Sequence, residues 1–500
     1  MNRRNAWAVL NAKQVKEAEK FAEDYKRFLN DAKTEREAVE RIVGDAEAAG
    51  FVDIRSLKNS RRKLKKGDKV YSVWMNKSII LFKIGSEPME QGLNILGAHI
   101  DSPRMDVKQN PLYEDTGFAY LDTHYYGGIK KYQFVALPLA LHGVIVKKDG
   151  SITQVNIGED EDDPVFFISD LLIHLAQEQM DKKASKVIEG EALDLIVGNK
   201  PLLIDSGKAT EKEKKSARAK LTPGQQYALD AEKLEGEASK NLSGAVKRGI
   251  LAILKDNYGV EEDDFISAEL EVVPAGKARD AGLDRSMILA YGQDDRVCAY
   301  PSFRAIAQAG ELARTGCCIL VDKEEIGSVG ATGMESRFFE NTVAEVMNLT
   351  GTYNELALRR CLANSCMLSS DVNAAYDPQF ASAFEKKNAS YLGGGVALSK
   401  FTGSRGKSGS NDANAEYLAH LREIFDAENI TYHTAELGKV DIGGGGTIAY
   451  ILALYGMNVI DSGVSVLNMH APWEATSKAD IYESFRAYTA FLEKASLTNM

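Results

Sequence analysis

The stretch CCILVDKEEIGS, residues 317–328, decides the fold. It opens with five apolar residues, closes that run at Asp322 and passes straight into Lys323-Glu324-Glu325. A short apolar run bounded by polar residues reads as a strand buried on both faces, the pattern of a parallel sheet. Similar runs occur at 94–100 (NILGAHI, stopped by Asp101-Ser102-Pro103), at 366–371 (CMLSSD) and at 458–461 (NVID). From about residue 285 onward, helical patterns alternate with strands. Helices are predicted over 298–313, 342–360, 413–428, 447–455 and 478–495, with a further strand at 432–436. This alternation predicts an α/β fold, a mixed sheet covered by helices.

Toward the N-terminus, apolar residues at helical spacing predict a helix over 12–49 that ends at Gly50. A basic stretch, 58–69, precedes strands at 69–76 and 78–84. Between 104 and 158 the chain is β-like, with turns at Tyr126-Gly127-Gly128 and Lys148-Asp149-Gly150. A helix is predicted over 168–179. Residues 205–240, rich in Lys, Glu and Ala, read as a solvated loop or an exposed helix. A helix over 244–257 and a strand over 265–274 follow. A chain of 500 residues exceeds one ordinary core. The simplest assembly is one α/β domain, residues 1–103 and 281–500, interrupted by a β-rich insertion at 104–280.

Composition narrows the function classes. Apolar residues make up 44% and charged residues 27%, as in a globular protein. A net charge of -11 argues against a nucleic-acid partner, which needs a basic face. The five cysteines (Cys298, Cys317, Cys318, Cys361 and Cys366) form no C-x-x-C pair, so reduced, buried thiols are expected. There is no apolar core of signal-peptide length at the N-terminus and no run near the roughly 20 residues that span a bilayer. The chain reads as cytoplasmic, with no membrane partner.

Only seven histidines are present, and any one alone is most often a packing or surface residue. Neighbourhood singles out two. His99 stands two residues before Asp101 at a strand end, so alternation points both side chains the same way. A metal-binding imidazole commonly has its second nitrogen held by a carboxylate, a part open to Asp101. His470 follows the apolar run 464–467. Glu324-Glu325 ends a buried strand. One of them could ligate a metal while the other serves as general base, the alternative being a solvated turn. Asp371 ends another apolar run. Asp294-Asp295 precedes a helix and could ligate or cap it. Two imidazoles with several carboxylates suit zinc, manganese or cobalt better than calcium. Two such ions sharing a carboxylate can hold an amine and a carbonyl oxygen together, which suits hydrolysis beside a free N-terminus. GGGG at 443–446 lacks the rest of a phosphate-binding motif and reads as a close backbone approach or a turn.

Six segments in order along most of the chain resemble the aspartyl aminopeptidase and vacuolar aminopeptidase I family of dinuclear metallopeptidases. They are GAHIDSP (97–103), GQDDRVCAY (292–300), DKEEIGSVGATG (322–333), SSDVNAAYDP (369–378), GGGGTIA (443–449) and the segment around His470. The resemblance implies a zinc-exopeptidase-like catalytic domain with an inserted β-rich dimerisation domain, and two divalent ions per subunit. Zinc is expected first, with cobalt or manganese as alternatives. Asp294 would bridge the ions, His99 and Asp371 would complete one site, and Glu325 and His470 the other. Glu324 would be the general base and Asp101 would orient His99. Peptides would be the substrates, dimers would assemble into a tetrahedral dodecamer, and His174 would be presented to a neighbouring subunit's site. Asp377 and Gly445 are further candidates for substrate contact. Acid-specific members carry histidines where Ala374 and Asp377 stand, and Ser-x-Arg-Glu where this chain has Ala-Pro-Trp-Glu. Neutral, basic, broad and acidic specificities all stay open. A related hydrolase of another amide and a silent self-assembling scaffold are the competing readings, though a scaffold has no need of these ligands.

Overall fold

The computed structural model describes residues 4–57, 63–202, 243–403 and 405–496. The polar stretch 205–240 and residues 58–62 of the basic stretch lie outside the described residues. The chain divides into two compact units. One comprises Met1–Arg104, Tyr126–Gln133 and Gly276–Met500, the other Met105–Tyr125 and Phe134–Ala275.

The first unit is built on a nine-stranded mixed sheet, and its strand order explains the sequence pattern. Across the sheet run Val52–Asp53, Lys69–Trp74, Ser78–Lys83, Thr315–Val321, Leu93–His99, Cys366–Ser369, Asn458–Gly463, Val396–Ser399 and Tyr432–Thr434. The central four, from Thr315–Val321 to Asn458–Gly463, are mutually parallel. Every residue of Leu93–His99 and Thr315–Val321 is buried, because helices cover both faces. Alternation divides the apolar side chains between two cores. Leu93 and Ile95 pack with Phe339, Val343 and Leu452, whereas Leu96 and Ala98 pack with Phe28, Tyr300 and Phe491. In register, Val321 lies opposite His99, and Ser369 opposite Gly97 and Asp461. The carboxyl ends of the central strands therefore share one edge, where open α/β sheets build their sites. A smaller five-stranded sheet in the same unit pairs Glu474–Ser477 with Met287–Ala290, setting Glu474 opposite Ala290.

Three predicted helices differ from what forms. The 12–49 pattern is two helices, Ala12–Asp31 and Glu35–Ala48, because Thr34 starts a new one through a capping box with Glu37. The 342–360 pattern is likewise split into Phe338–Thr350 and Glu355–Ala363. Gly351 (φ +80°) stops the first, and Asn354 caps the second by accepting from the Ala357 N–H at 2.8 Å. Residues 168–179 form only a turn, Ile173–Leu175, and a single-turn helix, Gln177–Met180. Leu171, Leu172, Ile173 and Leu175 remain exposed, so among the described residues no packed face supports a longer helix.

The second unit carries a six-stranded sheet in the order Ile152–Ile157, Leu139–Val146, Ala268–Pro274, Arg104–Asp115, Phe118–Tyr126 and Leu195–Gly198. Side chains from this sheet and from helix Ala245–Tyr258, among them Leu141, Ile250 and Leu254, line an apolar cavity of about 570 Å³. All five cysteines are free and buried. Among the described residues no helix is long and apolar enough to cross a membrane.

Candidate metal centre

His99 is the last residue of its strand, buried at the sheet's carboxyl edge. Its Nδ1 lies 3.1 Å from the Asp101 carbonyl oxygen and 3.2 Å from Asp101 Oδ1. This leaves Nε2 directed at Asp294 Oδ1, 3.3 Å away. On the opposite side of Asp294, His470 Nε2 lies 3.2 Å from Oδ2 and 3.5 Å from Glu325 Oε2. The His470 Nδ1 is 2.8 Å from the Gly128 carbonyl oxygen. Both imidazoles thus have one nitrogen committed to a protein acceptor and the other turned toward the same carboxylate, the arrangement that fixes a ligating tautomer.

Two three-residue groups result, His99 with Asp294 and Asp371, and Asp294 with Glu325 and His470. Within each, the candidate ligand atoms all lie within 4.8 Å of one another. Asp294 belongs to both. Its own backbone is non-helical (φ -80°, ψ 107°), and two residues earlier Gly292 is held at φ +68°, where a Cβ would meet Arg296 Nη1 at 1.9 Å. Glu324 Oε2 stands 3.8 Å from His99 Nε2.

The electrostatics suit cations. Burial pushes the Glu324 carboxyl up to about 7, with Asp294 and Asp101 adding to the effect. Glu325 and Asp371 are raised well above the ordinary range, chiefly by burial and then by neighbouring carboxylates. Glu325 Oε1 is buried with no hydrogen-bond partner among the described residues. Asp294 and Asp101 are the exceptions: burial opposes their charge, but hydrogen bonds from His470 and His99 to Asp294, and from His99 to Asp101, outweigh it and hold both carboxyls low. A crowd of buried acids of this kind is stable only when protonated or when balanced by positive charge, and the N and O donor set fits divalent zinc-like ions.

These groups open into a cavity of about 570 Å³ that Val372, Thr402, Leu437, Gly445, Tyr450, Asp461 and Met469 also line. The glycine run 443–446 is a close approach in one place, since a Cβ on Gly443 would meet the Leu437 carbonyl oxygen at 1.7 Å. Asp377 is not among the cavity-lining residues. Its Oδ1 accepts from the Gln379 N–H at 2.8 Å and caps the turn Pro378–Ala383. His174 sits exposed in the turn Ile173–Leu175 of the second unit.

Sequence reasoning passed over Glu474, which is buried. Its Oε2 accepts from the backbone N–H groups of Gln293 (2.7 Å) and Asp294 (3.0 Å), and its Oε1 from that of His470 (2.8 Å). One carboxylate thereby ties together the backbones of two candidate ligands. The available signal was weak: Glu474 stands four residues after His470, whereas the Asp294 turn is 180 residues distant.

Comparison with known proteins gives the family. Residues 28–492 match the family model described as aminopeptidase I zinc metalloprotease (M18). A probable M18 family aminopeptidase 1 of Clostridium acetobutylicum is 55% identical over 489 residues, covering 98% of each chain. The crystal structure of the M18-family aminopeptidase of Thermotoga maritima superposes with a TM-score of 0.87 at 41% identity, covering 99% of this chain and 100% of that one. The Saccharomyces cerevisiae mApe1 dodecamer, at 21% identity and a TM-score of 0.69 over 94% of this chain and 95% of that one, shares the fold. With the family model spanning nearly the whole sequence and such relatives matching end to end, the chain belongs to the M18 family of zinc metalloproteases and is a metallo-aminopeptidase.

Proposed function

We propose that the enzyme removes the N-terminal residue from peptides with two divalent ions, zinc in the first place and cobalt or manganese as alternatives. Asp294 would bridge them, with His99 and Asp371 on one side and Glu325 and His470 on the other. The observation that best supports this reading is the membership of Asp294 in both ligand groups. When bound, the ions supply Lewis-acid polarisation of the scissile carbonyl and a lowered pKa for water. The chain's own residues do the rest. Glu324 takes a proton from the attacking water at its carboxylate and returns it to the leaving amine. Asp101 holds His99 so that Nε2 faces the site. Gly445, on the cavity wall, lies along the substrate's path.

The second unit, residues 104–280 in the sequence division, is proposed as the oligomerisation domain, with dimers assembling into a dodecamer. The exposed apolar side chains Val165, Phe167, Leu172, Ile173 and Leu175 support it, since so many in one segment are uncommon on a monomer's surface. On this reading His174 reaches a neighbouring subunit's site. Asp377 would contact substrate only if freed from its cap.

The test is hydrolysis of an aminoacyl-p-nitroanilide panel (Asp, Glu, Leu, Ala, Lys, Arg) by chelator-stripped protein with zinc, manganese or cobalt restored. Activity should return only with metal, and the best substrate reports the preferred N-terminal residue. Metal-loaded, assembled protein that cleaves none of the panel would overturn the reading. His470→Ala should lower metal content below two ions per chain, and unchanged content would remove it from the ligand set.

A further inference from the structure

The turn Tyr126-Gly127-Gly128 takes no part in the mechanism above. In sequence it lies between two segments of the second unit, yet it belongs to the first. The Tyr126 hydroxyl donates to Asp101 Oδ2 at 2.8 Å. The Asp101 carboxylate also accepts from the backbone N–H groups of Glu324 (Oδ1, 3.3 Å) and Glu325 (Oδ2, 3.2 Å), besides facing His99 Nδ1. Asp101 is therefore the joint between one candidate ligand, His99, and the backbone that carries Glu324 and Glu325, and Tyr126 is its side-chain donor from outside that group. Two residues on, the Gly128 carbonyl accepts from His470 Nδ1 at 2.8 Å.

The backbone here runs in contact with the site, and at Gly127 it adopts a conformation that side chains rarely take. Gly127 has φ +75°, and a Cβ there would touch Glu325 Oε2 at 3.4 Å. A Cβ on Gly128 would lie 3.5 Å from His470 Nδ1. The Tyr126 ring is held in turn. The Arg104 guanidinium lies 4.0 Å from its centroid and 3.6 Å from the buried Glu35 Oε2.

We propose that residues 126–128 form a strap that sets the ring orientation of both metal-binding histidines, with Tyr126 as a positioning residue acting through Asp101. The inference rests on the metal-site reading above. Partners of this kind, one bond removed from a ligand, typically change metal affinity by about 10- to 100-fold when lost. Tyr126 acts one link further out, so about tenfold is expected.

The experiment compares full-length wild type, Tyr126→Phe and the neighbouring control Tyr125→Phe. Zinc affinity is titrated against a competing chelator, and Tm is measured metal-free and zinc-loaded. Tyr126→Phe should bind zinc about tenfold more weakly and show a smaller rise of Tm on zinc addition, while Tyr125→Phe matches wild type. A purely structural hydroxyl would lower both Tm values equally and leave zinc affinity intact, and that result would overturn the proposal. Wild type that binds no zinc would overturn the metal-site reading itself, an outcome distinct from the failure of the strap alone.

Discussion

At the start of strand Thr315–Val321, the buried Arg314 donates to the carbonyl oxygens of Gln91 and Asn364 and approaches Asn94 Oδ1 at 3.5 Å. Beside it, Asn94 Nδ2 donates to the carbonyls of Leu492 (3.2 Å) and Ala495 (2.9 Å), where the closing helix ends. Beyond the other end of the same strand, Glu324 and Glu325 meet Asp294, Asp371 and the two histidines. Both edges of the sheet are buried and polar. At the amino edge a cation lies among carbonyl oxygens, and its guanidinium donates to two of them. At the carboxyl edge, acids outnumber protein donors, and burial raises Glu324 and Asp461 to about 7. A buried polar cluster matched within the chain is scaffolding, whereas one left with surplus charge of one sign calls for a ligand of the opposite sign.

The most severe way to break the comparison acts on the carboxyl edge alone. Glu324→Gln should retain its metals, measured by atomic emission, yet lose about 100- to 10,000-fold in kcat, the range for a general base. That corresponds to roughly 3–5 kcal/mol of barrier. Normal turnover would put the base elsewhere. At the amino edge, Arg314→Leu should do the converse. It strands two buried carbonyls and should cost about 3 kcal/mol of stability in denaturant titration, with kcat per folded chain unchanged. A loss of kcat there would mean that the two edges are not separable.

Metal removal tests whether the surplus charge is what the ions offset. Ligand at 100 times its Kd stabilises a folded protein by about 2.7 kcal/mol. Chelator-stripped protein should therefore melt several degrees lower than zinc-loaded protein. Equal melting would mean that the crowded acids are satisfied by protons alone.

The two edges also differ in how far sequence reveals them. Strand ends are legible because an apolar run must stop somewhere, and an acid or imidazole at the stop is conspicuous; His99, Glu324, Glu325 and Asp371 were found in this way. His470 likewise follows the apolar run 464–467, and Asp294 is singled out by its adjacency to Asp295 before a helix, both also by family resemblance. The roles of Glu474 and Tyr126 are not legible because folding alone brings their partners close: Glu474 holds a backbone N–H 180 residues away and the Tyr126 hydroxyl a carboxylate 25 residues away, and neither periodicity nor composition encodes such contacts. The split helices at Thr34 and Asn354 failed for a local reason. A capping residue inside a continuous helical pattern leaves the apolar spacing intact, and only the side chain's hydrogen bond to a backbone N–H marks the break. At 168–179 the spacing is helical, but Leu171, Leu172, Ile173 and Leu175 stay exposed among the described residues.

The smallest effect comes from a matched pair that removes one donor at each edge. Asn94→Ala deprives the closing helix of its carbonyl partner and should cost about 1 kcal/mol, equally at pH 6 and pH 8, because no titrating group receives that bond. Thr447→Val removes the hydroxyl that donates to Asp461 Oδ1 at 2.6 Å. Asp461 is buried, and burial already raises it to about 7 against the Thr447 bond, which lowers it. An acid whose folded pKa is raised contributes stability below its unfolded value and loses it as pH rises through the folded value. Without the hydroxyl the folded pKa moves higher, so the falling range extends past pH 7. Metal-free Thr447→Val should therefore lose more stability than metal-free wild type between pH 6 and pH 8, by about 1 kcal/mol for a shift of one unit. Parallel pH profiles for the two variants would mean that charge at Asp461 is balanced within the protein, and the contrast between the edges would then narrow to the ligand residues themselves.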